Sequence, residues 1–261
     1  MTCITFQRAY NVFCQLEIRK EIHQMTKKFI VLDTEGVDTQ KLPDGKPNPS
    51  TGLFYDLGYI VADKSGNVYE KRSFANSDVI FNQELMSTSY YANKLPQYLE
   101  NLNQDNGWTV ADTLTIFRQF RQDVSEYEIK EIWAYNCKYD KAITNSTVKQ
   151  LSHGFACFFT PYRTKWRDIW DVAGSTICNT KKYVRWCIKN GFVSSKGNPS
   201  TSADTVGKYI LNDLTFKERH TALSDCEIEL SILLAALRRK QKTRKTCGHG
   251  WRDAAAIAKK L

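Results

Sequence analysis

The chain has 261 residues, with 37 Lys or Arg against 28 Asp or Glu, which gives a formal net charge of +9. Its 42% hydrophobic and 12% aromatic content is typical of a globular protein and excludes a fibrous or low-complexity chain. The sequence lacks an apolar run long enough to cross a membrane and an apolar signal-peptide core near its start. We therefore expect a cytoplasmic protein with no membrane association.

Eight cysteines are spread along the chain without a Cys-x-x-Cys pair. In a protein without a secretion signal, we expect them to be reduced thiols. Cys247 and His249 lack two further zinc ligands nearby, so a structural zinc is not predicted there.

Residues 1–24 have mixed polarity and no sustained period, and we interpret them as a leader that is not part of the native protein, with Met25 as the functional start. We expect a folded domain at residues 25–240 and a basic C-terminal tail at residues 241–261. From Arg238 onward the chain has nine Lys or Arg and a single acid, Asp253. This charge run is either a nucleic-acid contact or a solvated helix end.

The first half of the chain favours strands. Phe29 to Leu32 is short and apolar, which predicts a central strand buried on both faces. A polar loop at 37–52 follows, and residues 53–62 and 68–74 around the turn at 64–67 predict a β-hairpin.

Helices and strands alternate in the rest of the chain. The apolar spacing predicts a mostly helical region at 82–128, a strand at 132–135, a helix at 141–151, strands at 156–159 and 166–172, helices at 181–189 and 203–211, and a long helix from about Ser224. This order predicts a single mixed α/β domain.

Two carboxylates come directly after the first predicted strand. Residues i and i+2 of a strand point the same way, so Asp33 and Glu35 would converge, whereas Asp225 and Glu227 would diverge on a helix. A converging pair repels itself unless a proton or a cation lies between the groups, and oxygen ligands favour Mg²⁺ or Mn²⁺. Solvated turn residues are the alternative.

Further polar residues lie at the starts of two predicted helices. Asp140 follows the strand that ends at Tyr135, and it is either a metal ligand or a helix N-cap. Asp225 opens the last long helix. Since five helical residues turn through about 500°, His220 reaches the side of Asp225 only from the preceding loop. There it is either a proton acceptor or a surface turn residue.

Three short motifs occur in order: Asp33-x-Glu35, Asn136-x-x-Tyr139-Asp140 and His220-x-x-x-x-Asp225. This set resembles the motifs of the DEDDh family of 3′→5′ exonucleases, which includes polymerase proofreading subunits, ribonuclease T and oligoribonuclease. The resemblance implies an exonuclease domain with a ribonuclease H-like fold, a mixed β-sheet flanked by helices.

The resemblance also implies a mechanism with two Mg²⁺ ions, for which Mn²⁺ would substitute. Asp33 would bridge both ions, Glu35 and Asp225 would hold the first, and Asp140 would serve the second. His220 would be the general base. The enzyme would release nucleoside monophosphates from the 3′ end of a single-stranded or 3′-ended nucleic acid, with DNA favoured over RNA, and a polymerase or another replication or repair protein is a possible partner.

Candidate substrate-binding residues surround these motifs. Thr34 and Gly36 lie beside the carboxylate pair, and Asn136 and Tyr139 belong to the second motif. Two base-stacking candidates have a core alternative: the pair Leu53 and Phe54, and the aromatic, basic segment 163–189. A competing interpretation of the whole chain is a non-catalytic nucleic-acid-binding module with a degenerate nuclease site.

Overall fold

A computed structural model describes residues 27–46, 48–89, 92–94, 96, 98–100, 108–239 and 250–261. The predicted leader, the predicted start at Met25 and the tail residues 241–249 lie outside this part of the chain. The five cysteines among the described residues are free thiols, as predicted.

A six-stranded mixed sheet occupies the centre of the described chain, with strand order β4-β3-β2-β1-β5-β6. Its strands are β1 (Lys28–Val37), β2 (Leu53–Asp63), β3 (Val68–Asn76), β4 (Thr109–Ala111), β5 (Glu131–Ala134) and β6 (Lys165–Asp168). The pairs β1/β2 and β2/β3 are antiparallel, and the other neighbours are parallel. The predicted central strand and hairpin are confirmed, and β1 continues past Leu32 to Val37.

Helices cover both faces of this sheet. They are α1 (Ser77–Ile80), α2 (Gln83–Met86), α3 (Thr113–Glu126), α4 (Lys138–Leu151), α5 (Ile169–Ala173), α6 (Lys181–Lys189), α7 (Ala203–Leu211), α8 (Ala222–Arg238) and α9 (Gly250–Ala258). A π-helical segment (Gly174–Cys178) continues α5. None of the described helices has the length and apolarity needed to span a bilayer.

Three sequence predictions were wrong in detail. Residues 156–159 lie in an irregular loop rather than a strand, because Phe158 points to solvent and only Phe159 is fully buried. The predicted strand at 166–172 ends at Asp168, whose carboxylate accepts a hydrogen bond from the Trp170 N–H at 2.9 Å and caps α5. The predicted helical region 82–128 includes the strand β4.

Side-chain alternation along β1 divides the core into two layers. Phe29 and Val31 pack with α5, α6, α7 and α8 on one face, while Ile30 and Leu32 pack with α3 and α4 on the other. Since the period of a strand is two residues, the next side chains of β1 continue the same alternation toward its C-terminal end.

The described end of the predicted basic tail packs onto the domain. Ala254 of α9 is fully buried, and Ile257 packs against the core cluster on the α8 face. The Arg239 guanidinium donates to the Thr176 carbonyl at 3.1 Å, so the chain leaving α8 is also held against the body.

Candidate active site

The C-terminal half of β1 presents the first two candidate ligands. Asp33 and Glu35 continue the face of Phe29 and Val31, which α8 covers, and Thr34 continues the opposite face, toward α4. The register between β1 and β2 shifts only after Glu35, between Glu35 and Gly36, so the alternation of side chains is regular up to Glu35. The Asp33 and Glu35 side chains therefore lie on one side of the sheet, as the sequence predicted.

The free edge of β1 admits a carboxylate from α4. β5 pairs with β1 only at Ile30 and Val31, so the edge beyond Leu32 is open to the turn that follows β5. Asp140, in the first turn of α4, is 2% exposed, and its Oδ1 accepts a hydrogen bond from the Thr34 hydroxyl at 2.8 Å.

Asn136 makes the sharp turn that this approach requires. Its backbone has φ 63°, a left-handed conformation that Asn tolerates better than most residues. Its N–H donates to Asp168 Oδ1 at 3.1 Å, which ties the turn to the end of β6. Its side chain lies in the exposed part of the turn.

A buried carboxylate of β2 holds the start of α8. The N-cap residue, Thr221, makes no side-chain capping bond. Instead, Asp56 Oδ2 accepts from the Ala222 N–H at 2.9 Å. This bond satisfies one of the unpaired donors at the helix start and fixes α8 against the sheet.

His220 lies on the loop before α8, as predicted, and Asp225 lies in the first turn of the helix. His220 has φ 55°, and its carbonyl accepts a hydrogen bond from the Tyr98 hydroxyl. The His220 Nδ1 is 3.9 Å from Asp225 Oδ2. Glu35, His220 and Asp225 each offer a ligand atom within 4.8 Å of the other two.

Burial raises the pKa values of all four candidate carboxylates, and neighbouring acids add to the shift at Asp33, Glu35 and Asp140. Burial raises the pKa of Asp33 well above its usual range, and Glu229, Asp140 and the other carboxylates add to it. Burial and the charge of Asp56 raise the pKa of Glu35 to about 9.

The other two carboxylates shift less. Burial raises the pKa of Asp140 to about 7 although the Thr34 hydrogen bond opposes the shift, and burial raises the pKa of Asp225 to about 6. An oxygen-rich, crowded set of this kind is relieved by a hard divalent cation, so the donor chemistry fits Mg²⁺ or Mn²⁺.

The imidazole of His220 has the opposite shift. Burial, followed by the positive charge of Lys94, lowers its pKa, and Asp204 partly offsets this. The ring is therefore neutral near pH 7 and able to accept a proton.

Two buried acids of this site were missed in the sequence. Glu229 is 3% exposed, and it lies four residues after Asp225 on the same side of α8. Its Oε2 accepts from the Tyr135 N–H at 3.2 Å. A search for i, i+4 acid pairs could have found Glu229, whereas the packing that buries Asp56 leaves no local signal.

The predicted substrate-binding residues lie around the carboxylates. A Cβ added at Gly36 would be 3.2 Å from the Tyr139 hydroxyl and 2.0 Å from Ile143 Cδ1, so Tyr139 borders the backbone of Gly36. Thr34 is 5% exposed and its hydroxyl is bonded to Asp140.

Most aromatic side chains of the two base-stacking candidates pack in or against the core. Leu53 and Phe54 are buried. In the segment 163–189, Tyr183 is buried, Trp186 stacks on Phe192, and the Trp170 Nε1 donates to Thr201. These aromatic side chains therefore belong to the core, which was the alternative to base stacking.

The sequence matches no protein-family model and no curated protein, but the fold is similar to that of several solved structures. The nuclease domain of 3′hExo, a DEDDh family member bound to rAMP, has a TM-score of 0.55 and 12% identity, over 85% of this chain and 98% of that one. A 3′-exonuclease structure described as recognising the 3′ end of a histone mRNA stem-loop has a TM-score of 0.54 and 12% identity, over 86% and 88%.

Escherichia coli exonuclease I in complex with a dT13 oligonucleotide has a TM-score of 0.52 and 13% identity, over 82% of this chain but only 42% of that one. The chain therefore has the ribonuclease H-like fold of the DEDDh-family 3′ exonucleases.

Proposed function

We propose that the protein is a metal-dependent 3′→5′ exonuclease, which hydrolyses the terminal phosphodiester bond of a nucleic-acid strand and releases nucleoside monophosphates. The observation that carries the proposal is the convergence of five residues from three distant segments: Asp33 and Glu35 on β1, Asp140 on α4, and His220 and Asp225 at the start of α8. The fold shared with DEDDh-family 3′ exonucleases supports it.

The four carboxylates are the proposed holders of two Mg²⁺ ions, with Mn²⁺ as a substitute. When bound, such ions neutralise phosphate charge and lower the pKa of water. Without a cation, the raised pKa values of Asp33 and Glu35 favour proton uptake, so metal binding and protonation compete at this site.

His220 is the proposed general base. Its ring is only partly covered, with 33% of the side chain exposed, and its pKa is lowered. A neutral imidazole there can take the proton of the attacking water as the water oxygen bonds to phosphorus and the bond to the 3′-oxygen breaks. The hydrogen bond from the Tyr98 hydroxyl to the His220 carbonyl holds this loop in position.

Thr34, Gly36, Asn136 and Tyr139 are the proposed contacts to the terminal nucleotide. Ile143 already occupies the space that a Cβ of Gly36 would need, so the proposed contact of Gly36 is made by its backbone. The Tyr139 hydroxyl lies beside it and offers a hydrogen-bonding group to the same nucleotide.

A degradation assay tests the function. DNA and RNA strands of one sequence, labelled at the 5′ end, are incubated with the protein in Mg²⁺ or in EDTA. We expect a ladder of shortened strands in Mg²⁺ alone, and comparison of the two strands determines the preference. A strand that is bound but stays intact would support the non-catalytic binding module instead.

The variant Asp33→Asn tests the role of Asp33 in the same assay. We expect it to abolish the ladder and to weaken Mn²⁺ binding in calorimetry. Asp213→Asn, which alters an exposed loop aspartate, is the control and should leave both unchanged. Normal Mn²⁺ affinity in Asp33→Asn would contradict the bridging role of Asp33.

A further inference from the structure

A cavity lies outside the carboxylate site, on the α4 face of the sheet. It has a volume of about 780 Å³, and its lining comes from α3, the outer side of α4, and the loop 155–164 with the adjoining Trp166. We refer to it as the aromatic cleft. Lys141, directly after Asp140 on α4, lines it, so the cleft begins next to the proposed catalytic site.

The loop of the aromatic cleft presents three large aromatic side chains to solvent. Phe155, Phe158 and Tyr162 are 61%, 70% and 93% exposed. Exposed apolar residues grouped in this way indicate a binding surface.

The same loop is nevertheless firmly attached to the domain. Phe159 is fully buried against Phe120, with ring centroids 4.4 Å apart, and its N–H donates to Asn145 Oδ1 at 2.9 Å. At the loop start, the Ser152 hydroxyl bonds both the N–H and the carbonyl of Ala156. The exposed rings are therefore carried by an anchored backbone.

The charge of the cleft has one sign. Four lining residues are cationic, Arg118, Arg121, Lys141 and Arg163, and no Asp or Glu is among the lining residues described. The Arg118 guanidinium lies 5.4 Å from the centre of the Phe155 ring, and that of Arg163 lies 5.9 Å from the Tyr162 ring. Aromatic rings and cations thus lie side by side on this surface.

We infer that the aromatic cleft binds single-stranded nucleic acid, with bases stacked on Phe155, Phe158 and Tyr162 and phosphates held by the arginines and Lys141. Stacking on aromatic rings beside a cationic track is how proteins hold single strands without reading their sequence. The inference rests on the proposed function, because it assigns the part of the strand beyond the scissile bond. An acidic peptide would satisfy the charges but not the stacking surfaces.

Fluorescence anisotropy of a labelled 20-nucleotide strand in EDTA tests the inference without strand cleavage. The double variant Phe158→Ala with Tyr162→Ala should lower affinity about tenfold or more, the size expected when stacked bases are lost. Phe81→Ala, at a 58% exposed phenylalanine outside the cleft, is the control and should bind like the unchanged protein.

A salt titration tests the cationic side. Arg118→Ala should reduce the slope of log affinity against log salt by about one, whereas Arg185→Ala, at an exposed arginine of α6, should not. Three outcomes would each overturn the inference. The unchanged protein does not bind the strand, the aromatic double variant binds it with unchanged affinity, or polyglutamate added as a competitor displaces the labelled strand as well as an unlabelled strand does.

The two proposals fail in different ways. If the protein binds the strand through the aromatic cleft but does not shorten it in Mg²⁺, the proposed exonuclease function is refuted and the cleft assignment is retained. Strand shortening with normal binding by the cleft variants would refute the cleft assignment alone.

Discussion

Gly58 of β2 lies directly under Leu223 at the start of α8. A Cβ at Gly58 would be 2.3 Å from the Leu223 nitrogen and 2.5 Å from the Ala222 carbonyl carbon. Both neighbours are backbone atoms, which cannot rotate away. Together with the hydrogen bond from the Ala222 N–H to Asp56, this close contact sets how near the start of α8, and therefore Asp225, lies to β1.

Gly58→Ala should push the start of α8 away from the sheet. We expect a loss of about 1–3 kcal/mol in the free energy of unfolding, the usual size for overpacking a core, together with weaker Mn²⁺ binding. Urea unfolding monitored by circular dichroism measures the free energy of unfolding, and calorimetry measures the Mn²⁺ affinity. In Gly52→Ala the closest atom would be the Val37 carbonyl oxygen at 3.1 Å, so its effect should be smaller; equal effects would contradict the role of the Gly58 contact.

His220→Asn should lower turnover about 10²- to 10⁴-fold, the contribution typical of a general base, while Mn²⁺ affinity is kept. Asn is the suitable replacement because His220 has φ 55°, a conformation that Asn adopts readily. Steady-state hydrolysis and calorimetry give the two values.

His153→Asn is a closely matched control, since His153 also has a positive φ, 52°, and lies in an exposed loop. It should leave turnover unchanged. If His220→Asn lost Mn²⁺ affinity in parallel with turnover, His220 would be a metal ligand rather than the base.

The candidate site residues predicted from the sequence share one property: each is placed by local geometry. Asp33 and Glu35 follow from the two-residue period of a strand, and His220 and Asp225 follow from the position of a helix start. The prediction that Glu227 points away from Asp225 also agrees with the structure, because Glu227 is exposed and accepts a hydrogen bond from Lys71 on the surface. Such relationships extend over a few residues and can be read directly from a sequence.

Other features depend on packing between distant segments. Asp56 caps a helix that begins 166 positions later, and no local pattern marks it as a cap. The loop after α4 has the apolar composition of a strand, but Phe159 is its only residue among 155–159 that is fully buried, so the loop never joins the sheet.

The stability of the metal-free protein should fall as the pH rises from about 4 to about 9. Asp140 and Asp225 have pKa values raised to about 7 and about 6, and that of Glu35 is raised to about 9. The folded chain therefore binds more protons than the unfolded chain in this window, which gives stability a negative slope against pH. His220, whose pKa is lowered, opposes the slope only at pH values near its usual pKa. Its contribution is that of one group, whereas several carboxylates contribute to the negative slope.

Thermal melting at pH 5, 6, 7 and 8, in EDTA and in Mg²⁺, measures this dependence. Since metal binds the deprotonated carboxylates, Mg²⁺ should flatten or reverse the slope and stabilise the protein most at high pH. A melting temperature in EDTA that rises from pH 5 to pH 8 would contradict the crowding of these acids.

Glu229→Gln should stabilise the metal-free protein near pH 7. Glu229 is buried, and its charge is the largest contribution after burial to the raised pKa of Asp33. A Gln side chain keeps an oxygen that can accept the Tyr135 N–H, and it removes a carboxyl whose own pKa is raised well above its usual range by burial and by Asp140. Folding near pH 7 then no longer requires a proton to be taken up, or a charge to be buried, at this position. We expect a gain of about 1 kcal/mol, or about 2–4 °C in melting temperature for a chain of this size, and a smaller gain in Mg²⁺, where bound cations offset the charge.

Glu227→Gln on the same helix separates this effect from a general change in helix charge. Glu227 is exposed and pairs with Lys71 at 2.6 Å, and a surface ion pair contributes about 0–1 kcal/mol. Its loss should therefore leave the melting temperature unchanged or slightly lower in both EDTA and Mg²⁺. A lower melting temperature for Glu229→Gln in EDTA would mean that the bond to the Tyr135 N–H outweighs the cost of burying this carboxyl. Glu229 would then support the turn after β5 rather than destabilise the carboxylate cluster.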